Sequence, residues 1–256
     1  MVTHDLEDNN RHPLTRRTLA SMRRTVDFTK HTLMVSDNGS CAATHALYDE
    51  YSDIISHVSY NGSNIGTANA LNKLWRYYQP MYKAVCKIDN DVEWHESGWA
   101  DRMVEVFERD PSIGICGLKR KDLEERPDHT NQWYRSKLRF LPHEKGQRWI
   151  VVESCNHIMG TVQAYRGSLI GDNGRFGYLW QMGCYGLDDS YAAVRMNVLG
   201  YESVFLHGFE IDHIDPGNTA YTQWKMDVVR DPVADFERIK QEYIKGKRPV
   251  FYDGGF

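Results

Sequence analysis

The sequence predicts an α/β protein, with one central, mostly parallel sheet flanked by helices in a single domain. Three observations support this. Short β-branched or apolar runs alternate with longer amphipathic stretches through the first half of the chain, the pattern of a sheet covered on both faces. Two of those runs end in acidic turns, after Val35 and after Ile88, and in open α/β sheets ligands bind beyond the carboxyl ends of strands. The chain has 256 residues, a length that suits one large domain or one core with a lid.

Pro13 to about Phe28 places Leu14, Leu19, Met22 and Val26 near one helical face, with Pro13 suited to the first turn. Thr32 to Ser36 reads as a strand running into the turn Asp37-Asn38-Gly39-Ser40, followed by a helix over Ala42 to Tyr51. Ile54 to Tyr60 is the next strand, and Thr67 to Tyr78 a helix with Leu71, Leu74 and Trp75 inward. Lys83 to Ile88 is a strand entering Asp89-Asn90-Asp91. Ser97 to Arg109 is a helix and Ile113 to Leu118 a strand. Beyond a glycine- and aromatic-rich stretch, Phe176 to Gly186, a helix is expected from Asp188 to Leu199, ended by Gly200, then a strand from Ser203 to Phe209. Asp231-Pro232 reads as the cap and first turn of a last helix with Val233, Phe236, Ile239 and Tyr243 buried.

Between the two halves periodicity fades. Lys119 to Arg148 carries nine basic and five acidic residues, a net +4, interleaved with Trp133, Tyr134, Phe140 and, just beyond, Trp149. This reads as an inserted loop or lid. The organisation is thus residues 1–118 as one half, 119–149 as a basic and aromatic insert, and 150–256 as the other half of one continuous domain.

Composition narrows the function. Hydrophobic residues at 41% and charged residues at 26% close a core and exclude disordered or low-complexity architecture, and a net charge of −4 excludes a uniformly basic coat for nucleic acid. The longest apolar runs fall far short of the roughly 20 residues that span a bilayer, and the acidic start Met1 to Arg11 lacks a signal-peptide pattern, so a cytoplasmic setting is expected. The five scattered cysteines, with no CxxC pair, read as reduced thiols rather than a disulfide or zinc framework.

Asp89-Asn90-Asp91 sets two carboxylates two residues apart at a strand end, able to face one hard cation carrying a diphosphate; the alternative is a solvated turn. The order of motifs adds to this. Ser36-Asp37-Asn38-Gly39-Ser40, then Asn64-Ile-Gly66-Thr-Ala-Asn69-Ala-Leu-Asn72, then Asp89-Asn90-Asp91 resemble a glycosyltransferase of the GT-A fold, similar to glycosyltransferase family 2. The segment Leu187-Asp188-Asp189-Ser190-Tyr191 through Arg195 to Gly200-Tyr201 aligns without a gap to that family's E-D-x-D-L-x-x-R-x-x-x-x-G-Y pattern, with Asp188 for the glutamate and Tyr191 for the last aspartate. The resemblance covers about residues 1–118 and 150–215. The family opens with a longer apolar strand, of which only Val2-Thr3-His4 is present, so the expectation is either a very short first strand or a sequence that begins inside it.

The resemblance implies a Rossmann-like sheet and metal-dependent, inverting transfer of a sugar from a nucleoside-diphosphate sugar, most often a UDP-sugar, to an acceptor hydroxyl. It implies Mn²⁺ or Mg²⁺ on Asp91, with Asp89 on the ion or the donor ribose and His213 as a further metal ligand; a structural histidine is the alternative at 213. Asp189, paired with Asp188, is the implied general base, or simply a helix cap. Donor contacts fall on Asp37, Asn38, Asn64, Gly66, Asn69 and Asn90, against helix-cap and turn roles. Trp180 and Tyr185 are candidates to stack on the acceptor, as are Arg135 and Lys137 of the insert to bind it, against plain packing and a solvated loop.

The basic, aromatic insert suits a polyanionic acceptor, such as hydroxymethylated bases in viral DNA or an anionic glycan. Two other classes stand beside this reading. One is a nucleotidyltransferase or other nucleotide-sugar enzyme; the other is a catalytically silent nucleotide-binding module, which the Tyr191 departure would fit.

Overall fold

The computed structural model describes residues 1–78, 82–124, 137–142, 149–217 and 220–255. In chain order the elements are β1 (Val2–Thr3), α1 (His12–Thr25), β2 (Leu33–Asp37), α2 (Ala42–Glu50), β3 (Ile55–Tyr60), α3 (Thr67–Tyr78), β4 (Ala84–Ile88), β5 (Val92–Trp94), α4 (Trp99–Arg109), β6 (Ile113–Arg120), α5 (Lys121–Glu124), β7 (Lys137–Pro142), β8 (Trp149–Cys155), β9 (Val162–Arg166), α6 (Asp188–Val198), β10 (Glu202–His213) and α7 (Ala220–Ile244).

The strands form two sheets. β1, β2 and β3 are all parallel. The larger sheet has the order β4-β9-β6-β10-β8-β7, with β5 on the far part of β10; its β6–β10 pair is parallel and the others antiparallel. β1 is two residues long and pairs with β2 alone. A cleft of about 860 Å³, lined by Met1, Leu33, Trp75, Val85, Ile88 and Met103 together with charged residues such as Lys30, Asp101 and Glu105, lies between the sheets.

Both faces of the larger sheet are covered, as the alternation along β10 requires. Val204 and Leu206 join Leu19 and Met22 of α1 and Met103 and Phe107 of α4 on one side. Phe205 joins Leu71, Leu74 and Trp75 of α3 and Ala192 and Met196 of α6 on the other. A third, smaller cluster packs Tyr191 of α6 against Ile239 and Tyr243 of α7. All five cysteines are free. Among the described residues no helix is long and apolar enough to cross a membrane.

Three departures from the sequence reading have physical causes. The insert is not loop throughout: β7 pairs with β8 as a hairpin and extends the sheet, its exposed Leu138 and Phe140 lying on the outer face. The last helix begins at Ala220 rather than Asp231 and carries Pro232 inside. Proline removes one intrahelical bond, and the earlier turns are held by contacts of Tyr221, Trp224 and Lys225 outside the helix; Val233 is exposed, not buried. β10 runs on to His213, because a register shift between Leu206 and Glu210, at Gly208 with φ +84°, bends the strand from β8 onto β5.

Candidate active site

The bend in β10 brings its end to the acidic turn. His213 pairs with Val92 of β5, and the amide of Ile214 donates to the carbonyl of Asp91 at 2.9 Å. Asp91, 2% exposed, accepts from Arg11 Nη2 at 2.6 Å through Oδ2, and His213 Nε2 lies 3.5 Å from the same oxygen. Asp215 Oδ2 accepts from Arg11 Nη1 at 3.1 Å and Lys225 Nζ at 3.2 Å. Burial works against ionisation of Asp91, but His213, Arg11 and Lys225 hold its carboxyl well below the usual range. Burial, with the like charges of Asp91 and Asp188 and against the pull of Lys87, pushes Asp89 up to about 6.

These residues fit a divalent ion. Asp91, His213 and Asp215 each offer a ligand atom, all within 4.8 Å of one another. The Asp91 Oδ1 atom is buried without a hydrogen-bond partner among the described residues, so its charge is answered on one oxygen only. One feature opposes ligation through His213 Nε2. Arg120 Nη2 lies 3.1 Å from His213 Nδ1, and a guanidinium only donates, so Nδ1 accepts and the neutral ring carries its proton on Nε2. His213 can ligate through Nε2 once Arg120 leaves Nδ1.

The second acidic station is the start of α6. Lys87, buried on β4 two residues before Asp89, donates to Asp188 Oδ2 at 2.5 Å. Asp189 Oδ2 accepts from the Gly160 amide at 2.8 Å, its Oδ1 from the Ser190 amide at 2.7 Å, and His157 Nε2 lies 3.6 Å away. His157 Nε2 is also 3.0 Å from Ser190 Oγ. Burial again opposes ionisation, and His157, Lys87 and the Gly160 amide outweigh it, holding Asp189 far below the usual range. Lys87 thus stands among Asp89, Asp188 and Asp189 and draws the two stations into one site.

The predicted donor residues divide. Asn38 and Asn64 line the cleft beside Asp89 and Asp91 and are joined by a 3.2 Å hydrogen bond. Asp37 does not reach the cleft: its carboxylate accepts from the Gly39 and Ser40 amides and from Tyr48 Oη at 2.6 Å, which uses it as a turn cap and core anchor. Gly66 has φ +87°, and a Cβ there would lie 2.5 Å from Gln181 Nε2 and 2.8 Å from the Cys184 carbonyl; the chain's own 181–184 loop makes the close approach. Asn69 is exposed and its amide bonds back to the Ile65 carbonyl. Asn90 borders the cleft, but its amide donates inward to Asp5 Oδ1 and Thr15 Oγ1, tying the acidic turn to α1.

Of the acceptor candidates, Tyr185 lines the cleft. Trp180 does not; it packs edge-on against Tyr191 with ring centroids 4.7 Å apart, because α7 closes over that face. Lys137 is exposed at the start of β7, the edge strand at the opposite end of the sheet from β4, so it is not brought to the cleft. Arg135 lies outside the described residues. Tyr191, the departure from the family's acid, is fully buried in the α6–α7 seam and faces none of the site groups.

Arg11, Lys87, Asp215 and the Tyr221, Trp224 and Lys225 cluster are not apparent from local patterns. Two signals were present: a lone lysine in the apolar strand Ala84–Ile88, and the spacing of His213 and Asp215 after a strand. Arg11 is 4% exposed, and only partners 80 and 204 residues away explain a buried guanidinium.

A model of the family described as glycosyl transferase family 2 matches residues 9–169, more than half of the chain. Among solved structures, the mannosyltransferase PcManGT from Pyrobaculum calidifontis, in complex with GDP-Man and Mn²⁺, is 18% identical with TM-score 0.63 over 94% of this chain and 64% of its own. TarS 1–349 of S. aureus in complex with UDP-GlcNAc is 14% identical with TM-score 0.59, covering 95% and 69%. GalNAc-T7 with UDP, GalNAc and Mn²⁺ is 12% identical with TM-score 0.52, covering 77% and 40%. The chain therefore spans just under two thirds of PcManGT and less than half of GalNAc-T7. No curated protein matches the sequence. With its fold shared by these structures and the family match extending over most of its first 169 residues, the chain belongs to glycosyl transferase family 2 and has the GT-A fold.

Proposed function

We propose that this chain transfers a sugar, with inversion, from a nucleoside-diphosphate sugar, foremost a UDP-sugar, to an acceptor hydroxyl. The observation that carries the reading is the convergence of the acidic turn, with its cation-seeking carboxylate Asp91, and a helix-start carboxylate, Asp189, through Lys87, which stands among Asp89, Asp188 and Asp189. Transfer from a diphosphate needs both charge neutralisation on the leaving group and a base for the incoming hydroxyl.

Asp91 and Asp215, with His213 after release by Arg120, would hold Mn²⁺ or Mg²⁺, which when bound supplies positive charge to the departing diphosphate. Asn38, Asn64 and Asp89 line the cleft as donor contacts. Asp189, fixed by the Gly160 and Ser190 amides, takes the proton of the acceptor hydroxyl as that oxygen attacks the face opposite the leaving group. Asp188 is held by Lys87 and sets the start of α6. The cleft measures about 60 Å³, against roughly 300 Å³ or more for small-molecule sites.

The sequence charge of the insert, and not the placement of Lys137, is the ground for a polyanionic acceptor, a hydroxymethylated base in DNA or an anionic glycan. Activity that falls steeply with salt on such an acceptor supports this; equal activity on a neutral small acceptor overturns it.

The test of the donor reading is thermal stability with uridine, guanosine, cytidine, adenosine and thymidine diphosphates, each with and without Mn²⁺. A metal-dependent rise with one diphosphate is expected and names the donor base. No rise with any, or turnover of a nucleoside triphosphate instead, overturns it.

A further inference from the structure

Arg11 and Lys225 bring two positive charges to two carboxylates. The Arg11 guanidinium holds Asp91 and Asp215 together at 2.6 and 3.1 Å, with Asn90 Oδ1 at 3.4 Å, and lies 4.4 Å from the ring centre of Tyr221. Lys225 holds Asp215 at 3.2 Å and lies 4.6 Å from the same ring. Together they supply the charge that a divalent ion would supply to Asp91 and Asp215. Arg120 adds a further constraint by directing the His213 proton onto Nε2.

An ion entering while both side chains stay would set four positive charges against Asp91 and Asp215, with Asp89 beside them, in a largely buried place, an excess that the interior disfavours. A diphosphate removes that conflict, because a guanidinium can leave a carboxylate for a phosphate with matching fork geometry. We propose that Arg11, assisted by Lys225, is a built-in counter-cation that makes divalent-ion binding conditional on the nucleoside diphosphate, and that it passes from Asp91 and Asp215 to the phosphates when the two bind. This rests on the reading of Asp91, His213 and Asp215 as the divalent site. By reciprocity, the diphosphate binds more tightly with the ion to the same degree.

The experiment is Mn²⁺ titration followed by electron paramagnetic resonance, with and without each of the five nucleoside diphosphates, on the wild type, Arg11→Gln and Lys225→Gln. For the wild type, Mn²⁺ affinity rises with the effective diphosphate by a factor in the range of about 5 to 150. Arg11→Gln binds Mn²⁺ alone more tightly than the wild type and gains less from the diphosphate. Its lowered melting temperature is recovered by Mn²⁺ more than the wild type's is raised, an effect that a purely structural arginine would not produce. Lys225, at the start of α7, is the more exposed of the two, and its variant shows the same direction if Arg11→Gln does not fold. Unchanged Mn²⁺ affinity in folded variants that still bind Mn²⁺ with a diphosphate overturns the counter-cation and leaves the metal site standing. Absence of Mn²⁺ binding in every protein, with every diphosphate, overturns the metal reading and the inference with it.

Discussion

Lys87 Nζ lies 2.5 Å from Asp188 Oδ2, joining β4 to α6 across 101 residues of sequence with both side chains only 5–6% exposed. Burial works against the lysine's charge, and Asp188, Asp89 and Asp189 more than offset it, raising its affinity for the proton. The pair fixes the distance between the acidic turn and the start of α6.

Removing one partner strands the other charge. Lys87→Met is expected to cost about 3–5 kcal/mol in urea unfolding, and the double variant with Asp188→Asn to regain a large part of it. Equal stability of the single variant and the wild type would show that Asp188 finds another partner.

Asp189→Asn keeps an oxygen for the Gly160 amide but cannot take a proton. Steady-state rates should fall by about 10²–10⁴ while the thermal shift with the donor diphosphate persists. Normal turnover would move the base elsewhere.

Tyr191 Oη is buried with no hydrogen-bond partner among the described residues, while its ring packs between Trp180 and Phe236. Tyr191→Phe retains the packing and deletes the unmet hydroxyl, so it should raise stability by about 1 kcal/mol and leave transfer rates unchanged. A loss of activity would mean that the hydroxyl acts on the site.

Glu153 on β8 is 5% exposed, and Lys119 and His207 reach it at 2.6 and 2.9 Å. Burial opposes its ionisation, but these two contacts outweigh it and lower its pKa. A lowered folded pKa contributes stability that is full above the unfolded glutamate value of about 4.3 and is lost as pH falls through the folded one. Glu153→Gln should therefore unfold about 1–3 kcal/mol more easily at pH 7, with the gap closing below about pH 4. A gap independent of pH would mean that packing, not charge, sets the cost.

Local pattern determined much of this protein. The helix over Thr67–Tyr78, with Leu71, Leu74 and Trp75 buried, follows from 3.6-residue periodicity, and the strands before Asp37 and Asp89 from short apolar runs closed by turns. The order of Asp37, Asn64, Asp89 and Asp188 along the chain indicated the family before any contact was known. Tertiary structure decided which of those residues face the cleft. Asp37 and Asn69 are spent on local hydrogen bonds and Trp180 on packing, whereas Arg11, Lys87 and Asp215 become site residues through partners 80, 101 and 204 positions away. Periodicity records which face of an element is apolar. It carries no record of a charge buried for a distant opposite charge, since that energy exists only once the bend in β10 and the packing of α7 have brought the two together.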